Sequence, residues 1–249
     1  MTLAELVAEL DGYLAIGDYD DRSNNGLQVE GRADVRRIGL AVDAAQETFD
    51  KAVEAGVDLL LVHHGLFWGE PLMVTGSHRR RLVTLLSNDV SLYAAHLPLD
   101  GHPDVGNNAV MARMLDLEVQ GGFGYSRERP IGLVAAVPGG ATVEQLRQRL
   151  SAALAAPVLA WPFRERAARV GLVTGKATSL LPQAVALGLD ALICGEMEHM
   201  VYHTAREAGL AVVLGGHYQT ETVGVKALGR WIEGRFGLDT IWIDAATGL

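Results

Sequence analysis

Cysteine is almost missing from this chain of 249 residues, with Cys194 standing alone. A single thiol excludes a disulfide within the chain and any cysteine-rich zinc site, which leaves imidazole and oxygen as metal ligands. Long apolar runs are missing too. No stretch reaches the roughly 18 uncharged apolar residues that argue for a membrane span, although 49% of the residues are hydrophobic. Positive charge is scarce, with 21 Lys and Arg against 30 Asp and Glu and a net charge of −9. That balance lacks the basic stripe of a nucleic-acid binder. The one basic run, His78-Arg79-Arg80-Arg81, opens an expected helix and reads as its solvated end. The start, MTLAELVAEL, has no basic region or small-residue cleavage site, so an amphipathic helix and a cytoplasmic location are expected.

What is present is a pattern written twice. IGLAVDAA…AVEAGVDLLLVHHG around His63-His64 matches VGLVTGKA…AVALGLDALICGEM around Gly195-Glu196. Gly39 and Gly171, Ala52 and Ala184, Gly56 and Gly188, and Asp58 and Asp190 are each 132 residues apart. His96-x-x-x-Asp100 is answered by His217-x-x-x-Glu221 at an offset of 121. Each copy reads as a βαβ unit with a buried strand, a helix closed by glycine, and a second apolar strand running into the polar pair. The candidate ligands therefore fall at or just past the carboxyl ends of strands, where open α/β sheets place their binding groups. The expected fold is α/β, with two similar halves of residues 1–124 and 125–249 and a metal site in the cleft between them. Gly121-Gly122-Phe123-Gly124 breaks the periodicity and marks the expected boundary. The openings TLAEL and TVEQL echo one another weakly, and Thr142 with Gln145 reads as a helix cap.

His63 and His64 diverge where a strand gives way to a loop, which lets them serve neighbouring metals. Asp100 and Glu221 supply the negative charge that holds two cations close together. Imidazole suits zinc, iron or nickel, and carboxylates widen the range to manganese and magnesium. Thr220 or Thr222 is expected to cap the helix that begins near Glu221. His199 and His203, four apart on an expected helix, lack the glutamate that a zincin helix carries between its histidines. Glu196 and His203 read instead as groups lining the cleft, available for proton transfer. Asp18-Tyr19-Asp20-Asp21 reads as a solvated acidic loop. Gly175-Lys176-Ala177 fails as the tail of a P-loop, because Val170 and Ala177 stand where glycine and Ser/Thr belong.

SNNGLQVEG (23–31), LLLVHHGLFW (59–68), AAHLPLDGHPDVGNNAV (94–110), CGEMEHMVYHTAREAG (194–209) and GGHYQTETVGVKAL (215–228) together resemble the signature blocks of the Nif-three-like family. That family is often labelled type 2 GTP cyclohydrolase I. The resemblance implies a duplicated α/β fold, two divalent metal ions per subunit and a toroidal homohexamer. Carried over residue by residue, the metal ligands are His63, His64, Asp100, His217 and Glu221. His96 is expected beside the metals, as an outer or weak ligand. The chain matches the short form, with no room for the domain that longer members insert between the halves.

The activity implied is metal-dependent hydrolysis, with GTP opened to dihydroneopterin triphosphate and formate, or another ring or phosphoester hydrolysed. A nucleotide or phosphorylated small molecule would meet Arg79–Arg81 or the cluster Arg164, Arg166 and Arg169. The alternative is a non-catalytic protein that stores or delivers metal or binds a regulatory partner.

Overall fold

The computed structural model describes residues Met1–Leu249. The elements run α1 (Leu3–Leu14), β1 (Gly26–Val29), β2 (Arg37–Asp43), α2 (Gln46–Glu54), β3 (Leu59–His64), α3 (Gly76–Ser87), β4 (Ser91–Ala94), α4 (Leu97–Gly101) and α5 (Asn107–Met114). They continue with β5 (Glu118–Ser126), β6 (Arg129–Thr142), α6 (Val143–Leu154), β7 (Leu159–Trp161), β8 (Arg166–Lys176), α7 (Leu181–Ala186) and β9 (Ala191–Glu196). The chain closes with α8 (Tyr202–Glu207), β10 (Ala211–Leu214), α9 (His217–Phe236) and β11 (Asp239–Trp242).

Two compact units divide this mixed α/β chain: Met1–Leu99 with Gly224–Ala245, and Asp100–Val223 with Ala246–Leu249. The expected boundary at residues 124–125 lies inside the second unit. The glycine run there is not a linker but part of β5, paired antiparallel with β6 across a bulge between Val119 and Gly121. Gly122 is needed at that place, since a Cβ on it would stand 2.3 Å from Cβ of Pro130.

The first unit holds a five-stranded sheet in the order β1-β4-β3-β2-β11. Strands β11, β2, β3 and β4 run parallel, and β1 is antiparallel beside β4. The second unit holds a six-stranded sheet in the order β5-β6-β8-β9-β10-β7. Here β8, β9 and β10 run parallel, with β7 antiparallel on one side and the β5–β6 hairpin on the other. The sheets thus share the pattern β1-β4-β3-β2 and β7-β10-β9-β8, and differ only at the far edge.

Strands β3 and β9 are buried along their length up to a half-buried last residue, His64 or Glu196. Such unbroken apolar runs are the mark of parallel strands covered on both faces. Phe49, Leu60, Val62, Leu85 and Leu92 form the core of the first unit, and Phe123, Leu181, Leu192 and Val212 that of the second.

The repeat extends to single hydrogen bonds. Asp58 Oδ2 accepts from the backbone N–H groups of Arg36 and Arg37 at 2.8 and 3.0 Å, while Oδ1 meets Arg32. Asp190 Oδ2 accepts from Ala168 and Arg169 at 2.9 and 3.0 Å, and its Oδ1 meets Arg164. Arg37 Nη1 donates to Ala55 O, as Arg169 Nη1 does to Leu187 O. The faint TLAEL/TVEQL echo is real: Thr2 with Glu5 and Thr142 with Gln145 each close a capping box. Both helices also end on a left-handed alanine, Ala15 and Ala155.

Candidate metal centre

In the first unit three imidazoles gather at the carboxyl ends of β3 and β4. One ring nitrogen each of His63, His64 and His96 lies within 4.8 Å of those of the other two. The His63 ring centroid is 4.7 Å from that of His64 and 5.1 Å from that of His96. The rings do not float. His63 Nδ1 donates to Ala95 O at 2.9 Å, and His64 Nδ1 donates to Asp43 Oδ1 at 2.8 Å. His96 Nδ1 lies 3.0 Å from both oxygens of Asp21. An oxygen acceptor on Nδ1 fixes the tautomer with its proton there and the lone pair on Nε2. Trp68 stands edge-on to His96 at 5.0 Å and donates its Nε1–H to Gly65 O at 2.8 Å.

Asp21 corrects the expectation of a solvated loop, since its side chain is only 4% exposed. It accepts from the backbone N–H groups of Ser23 and Leu97 and from Asn25 Nδ2, each at 3.0 Å. Burial alone would raise its pKa; the bond and charge of His96, with Asn25 and Ser23, outweigh that and hold it at about 2. Asp21 is a permanent carboxylate that aims a histidine.

In the second unit, α9 begins at His217, so neither Thr220 nor Thr222 caps it. Thr220 sits a turn inside, where its Oγ1 donates to Gly216 O or His217 O and accepts from Gly175 N at 3.0 Å. Because the segment is already helical, His217 and Glu221 share a face, and Nε2 comes 3.1 Å from Glu221 Oε1. His217 Nδ1 is held by Glu196 Oε1, also at 3.1 Å. Burial would lower the His217 pKa, but Glu221 and then Glu196 outweigh it and lift it to about 9. Asp100 is buried, with Oδ1 accepting from Asn107 Nδ2 at 2.9 Å and from Thr174 Oγ1 at 3.2 Å. Gly175, at φ +64°, leaves space beside this pair: a Cβ there would stand 2.1 Å from Glu221 Oε1 and 3.2 Å from His217 Nε2.

A family model described as Duf34/NIF3 (NGG1p interacting factor 3) matches residues 1–247. The chain belongs to the DUF34/NIF3 family. A Deinococcus radiodurans protein named GTP cyclohydrolase 1 type 2 homolog is 43% identical over 246 residues, covering 98% of this chain and 94% of its own. An Archaeoglobus fulgidus protein of the same name is 41% identical with full coverage of both chains. The crystal structure of TTHA1606 from Thermus thermophilus superposes with a TM-score of 0.93 at 45% identity, covering 100% of each chain.

The donor set of this DUF34/NIF3 chain fits metal ions. Imidazoles with Nδ1 tied to oxygen and a carboxylate converging on Nε2 of His217 are arrangements that metal sites use. The sole thiol takes no part, because Cys194 is fully buried and its pKa is pushed well above the ordinary thiol value, by burial and then by Glu196. Sequence reasoning missed Asp21, Asp43, Asn107 and Thr174. Asp43 was legible as the repeat partner of Gly175, a place where the two copies differ in kind. Two members of the expected arginine cluster serve structure: Arg164 and Arg169 anchor the start of β8, as Arg32 and Arg37 anchor β2. His199 lies in a 3-10 turn ahead of α8 rather than on one α-helix with His203, and both are exposed. His203 meets the Tyr202 ring edge-on at 5.4 Å. No helix is long and apolar enough to cross a membrane.

Proposed function

We propose that this chain is a metal-dependent hydrolase holding two divalent ions through His63, His64, Asp100, His217 and Glu221. The observation that carries the reading is the second layer. His63, His64 and His217 each have Nδ1 engaged by an oxygen, and Asp100 is held by Asn107 and Thr174. Side chains braced in this way are pre-set as ligands rather than packed as core. Divalent ions held there would supply Lewis acidity and lower the pKa of bound water toward about 7.

The residues around them orient and carry protons. Glu196 holds His217 in register through Nδ1 at 3.1 Å and is the first candidate proton carrier, and His203 is the second. A nucleotide substrate is the finer reading, with GTP ring opening to dihydroneopterin triphosphate and formate as its form. It rests on the name that the Deinococcus and Archaeoglobus relatives carry. Assembly into a homohexameric ring goes with the same reading and is checked by light scattering.

The test is elemental analysis of protein purified without added metal, beside a His63→Ala/Asp100→Ala variant, followed by turnover of GTP and simple phosphoesters. About two ions per chain, lost in the variant, with turnover above that variant, is the expected result. Two ions without turnover on any of these substrates would favour a metal-storage or partner-binding protein. No ions, even after reconstitution, would end the metal reading.

A further inference from the structure

We propose that the groove between α1 and the free edge of β1 binds an extended peptide from a partner protein, with two basic side chains flanking an apolar one. The peptide adds a strand to the sheet beside β1. This site belongs to the first unit alone and does not rest on the metal reading.

β1 ends the five-stranded sheet and pairs only with β4, so its outer edge carries no strand. An open strand edge is a template for another chain, and pockets beside it select alternate side chains. Here Ala4, Val7, Ala8 and Asp11 of α1, with Leu27 and Glu30, line a cavity of about 470 Å³. That volume lies within the roughly 300–1,000 Å³ of ligand sites. The bulge in β1 serves this groove. In a regular strand Leu27 and Val29 would share a face, with Glu30 on the other. The register shift between Leu27 and Val29 instead turns Val29 into the core, which leaves Leu27 and Glu30 together in the groove.

Charge names the occupant. Asp11 stands at one end, where a Cβ on Gly26 would lie 3.6 Å from its Oδ1, and Glu30 follows the other end of β1. Neither carboxylate meets a cation: Asp11 Oδ1 accepts from the buried Tyr93 hydroxyl at 2.8 Å, and Arg32 is turned to Asp58. Burial and then Asp11 push the Tyr93 pKa well above its ordinary value, so the hydroxyl keeps its proton and holds Asp11 in place. Four residues of strand cover about 13 Å, which matches two basic side chains four apart in the peptide, with an apolar one between them on Val7 and Leu27. The net charge of −9 draws such a segment in. A second copy fits less well, because the other sheet-edge strands, β5, β7 and β11, carry no lysine or arginine.

The probe is a fluorescein-labelled heptapeptide of threonines, with lysine at its second and sixth places and valine at its fourth. Fluorescence anisotropy reads its binding to wild type, Ala8→Trp and Glu30→Lys, which change exposed positions and are checked for folding by circular dichroism. Wild type should bind it, and should bind a version with glutamates for lysines at least about tenfold more weakly. Glu30→Lys should weaken binding of the lysine peptide about tenfold. Ala8→Trp fills the groove and should abolish it. N-methylation of alternate peptide bonds keeps every charge and should abolish it too, because an added strand needs its backbone N–H groups. Hydrogen exchange should slow at residues 26–30. Unchanged binding of the N-methylated peptide, or of the parent peptide to Ala8→Trp, would mean attraction to net charge alone and overturn the proposal. No binding by wild type would overturn it as well. So would an Ala8→Trp chain that sediments as a smaller assembly than wild type, the mark of a face covered by a second copy.

Discussion

Replacing Gly175 by alanine, with Gly188→Ala as its control, separates backbone strain from damage to the proposed metal centre. Both glycines sit at φ +64°, but a Cβ on Gly188 would meet nothing within 4 Å, whereas one on Gly175 would stand 2.1 Å from Glu221 Oε1. A left-handed conformation costs alanine about 1–2 kcal/mol. For a chain of this length each kcal/mol lowers Tm by about 2–4 °C, so Gly188→Ala should melt about 2–8 °C below wild type. Gly175→Ala bears that cost and also drives the Glu221 carboxylate back by about 1 Å to restore a normal contact. Metal–ligand distances tolerate only about 0.2 Å, so under the proposed two-ion reading the displaced oxygen would no longer serve as a ligand. Calorimetric melting of metal-free protein and titration with Co(II) or Zn(II) report the two effects separately. Gly188→Ala should bind like wild type, and Gly175→Ala should lose about tenfold or more in affinity, the range seen when metal-site geometry is disturbed. Equal binding by both variants would refute the view that Gly175 exists to make room for Glu221.

The paired carboxylates at the strand starts give further expectations. Asp58→Ala, which strands two backbone donors and Arg32, should cost about 2–4 kcal/mol in denaturant unfolding. Asp190→Ala should cost less, because its side chain is 20% exposed against 10% for Asp58. Burial would raise the Asp190 pKa, but the Ala168 and Arg169 N–H groups and Arg164 outweigh it and hold it below 3.8. Its contribution is therefore complete above that value and lost as pH falls through the lowered folded pKa, and Asp190→Asn should flatten stability against pH in that acid window. Thr2→Ala and Thr142→Ala each remove one capping box and should cost about 1 kcal/mol apiece, with a double mutant close to additive.

The periodic signals carried most of the fold. Two apolar strands ending in His63-His64 and Gly195-Glu196, at a constant offset, announced parallel sheets and a duplicated βαβ unit because burial on both faces demands unbroken apolar runs. The boundary was misplaced because a glycine run reads as a linker, while a bulged hairpin strand uses the same residues for close backbone approach. The helix start near Thr220 was misplaced for a related reason. Local capping chemistry favours threonine outside the helix, and the contact of its hydroxyl with Gly175 N keeps it inside.

The candidate ligands were legible from residue type and spacing, since few chemistries need paired histidines and carboxylates at strand ends. Their supports were not. Asp21 lies 75 positions from His96 in the chain, and Thr174 lies 74 from Asp100. No local pattern links residues so far apart. The sequence by itself determined which side chains stand at the ends of the strands, because the unbroken apolar runs that become buried strands, and the polar residues that end them, are written along the chain. Only the tertiary structure decided which oxygen turns each imidazole, because that depends on segments distant in the chain meeting in space.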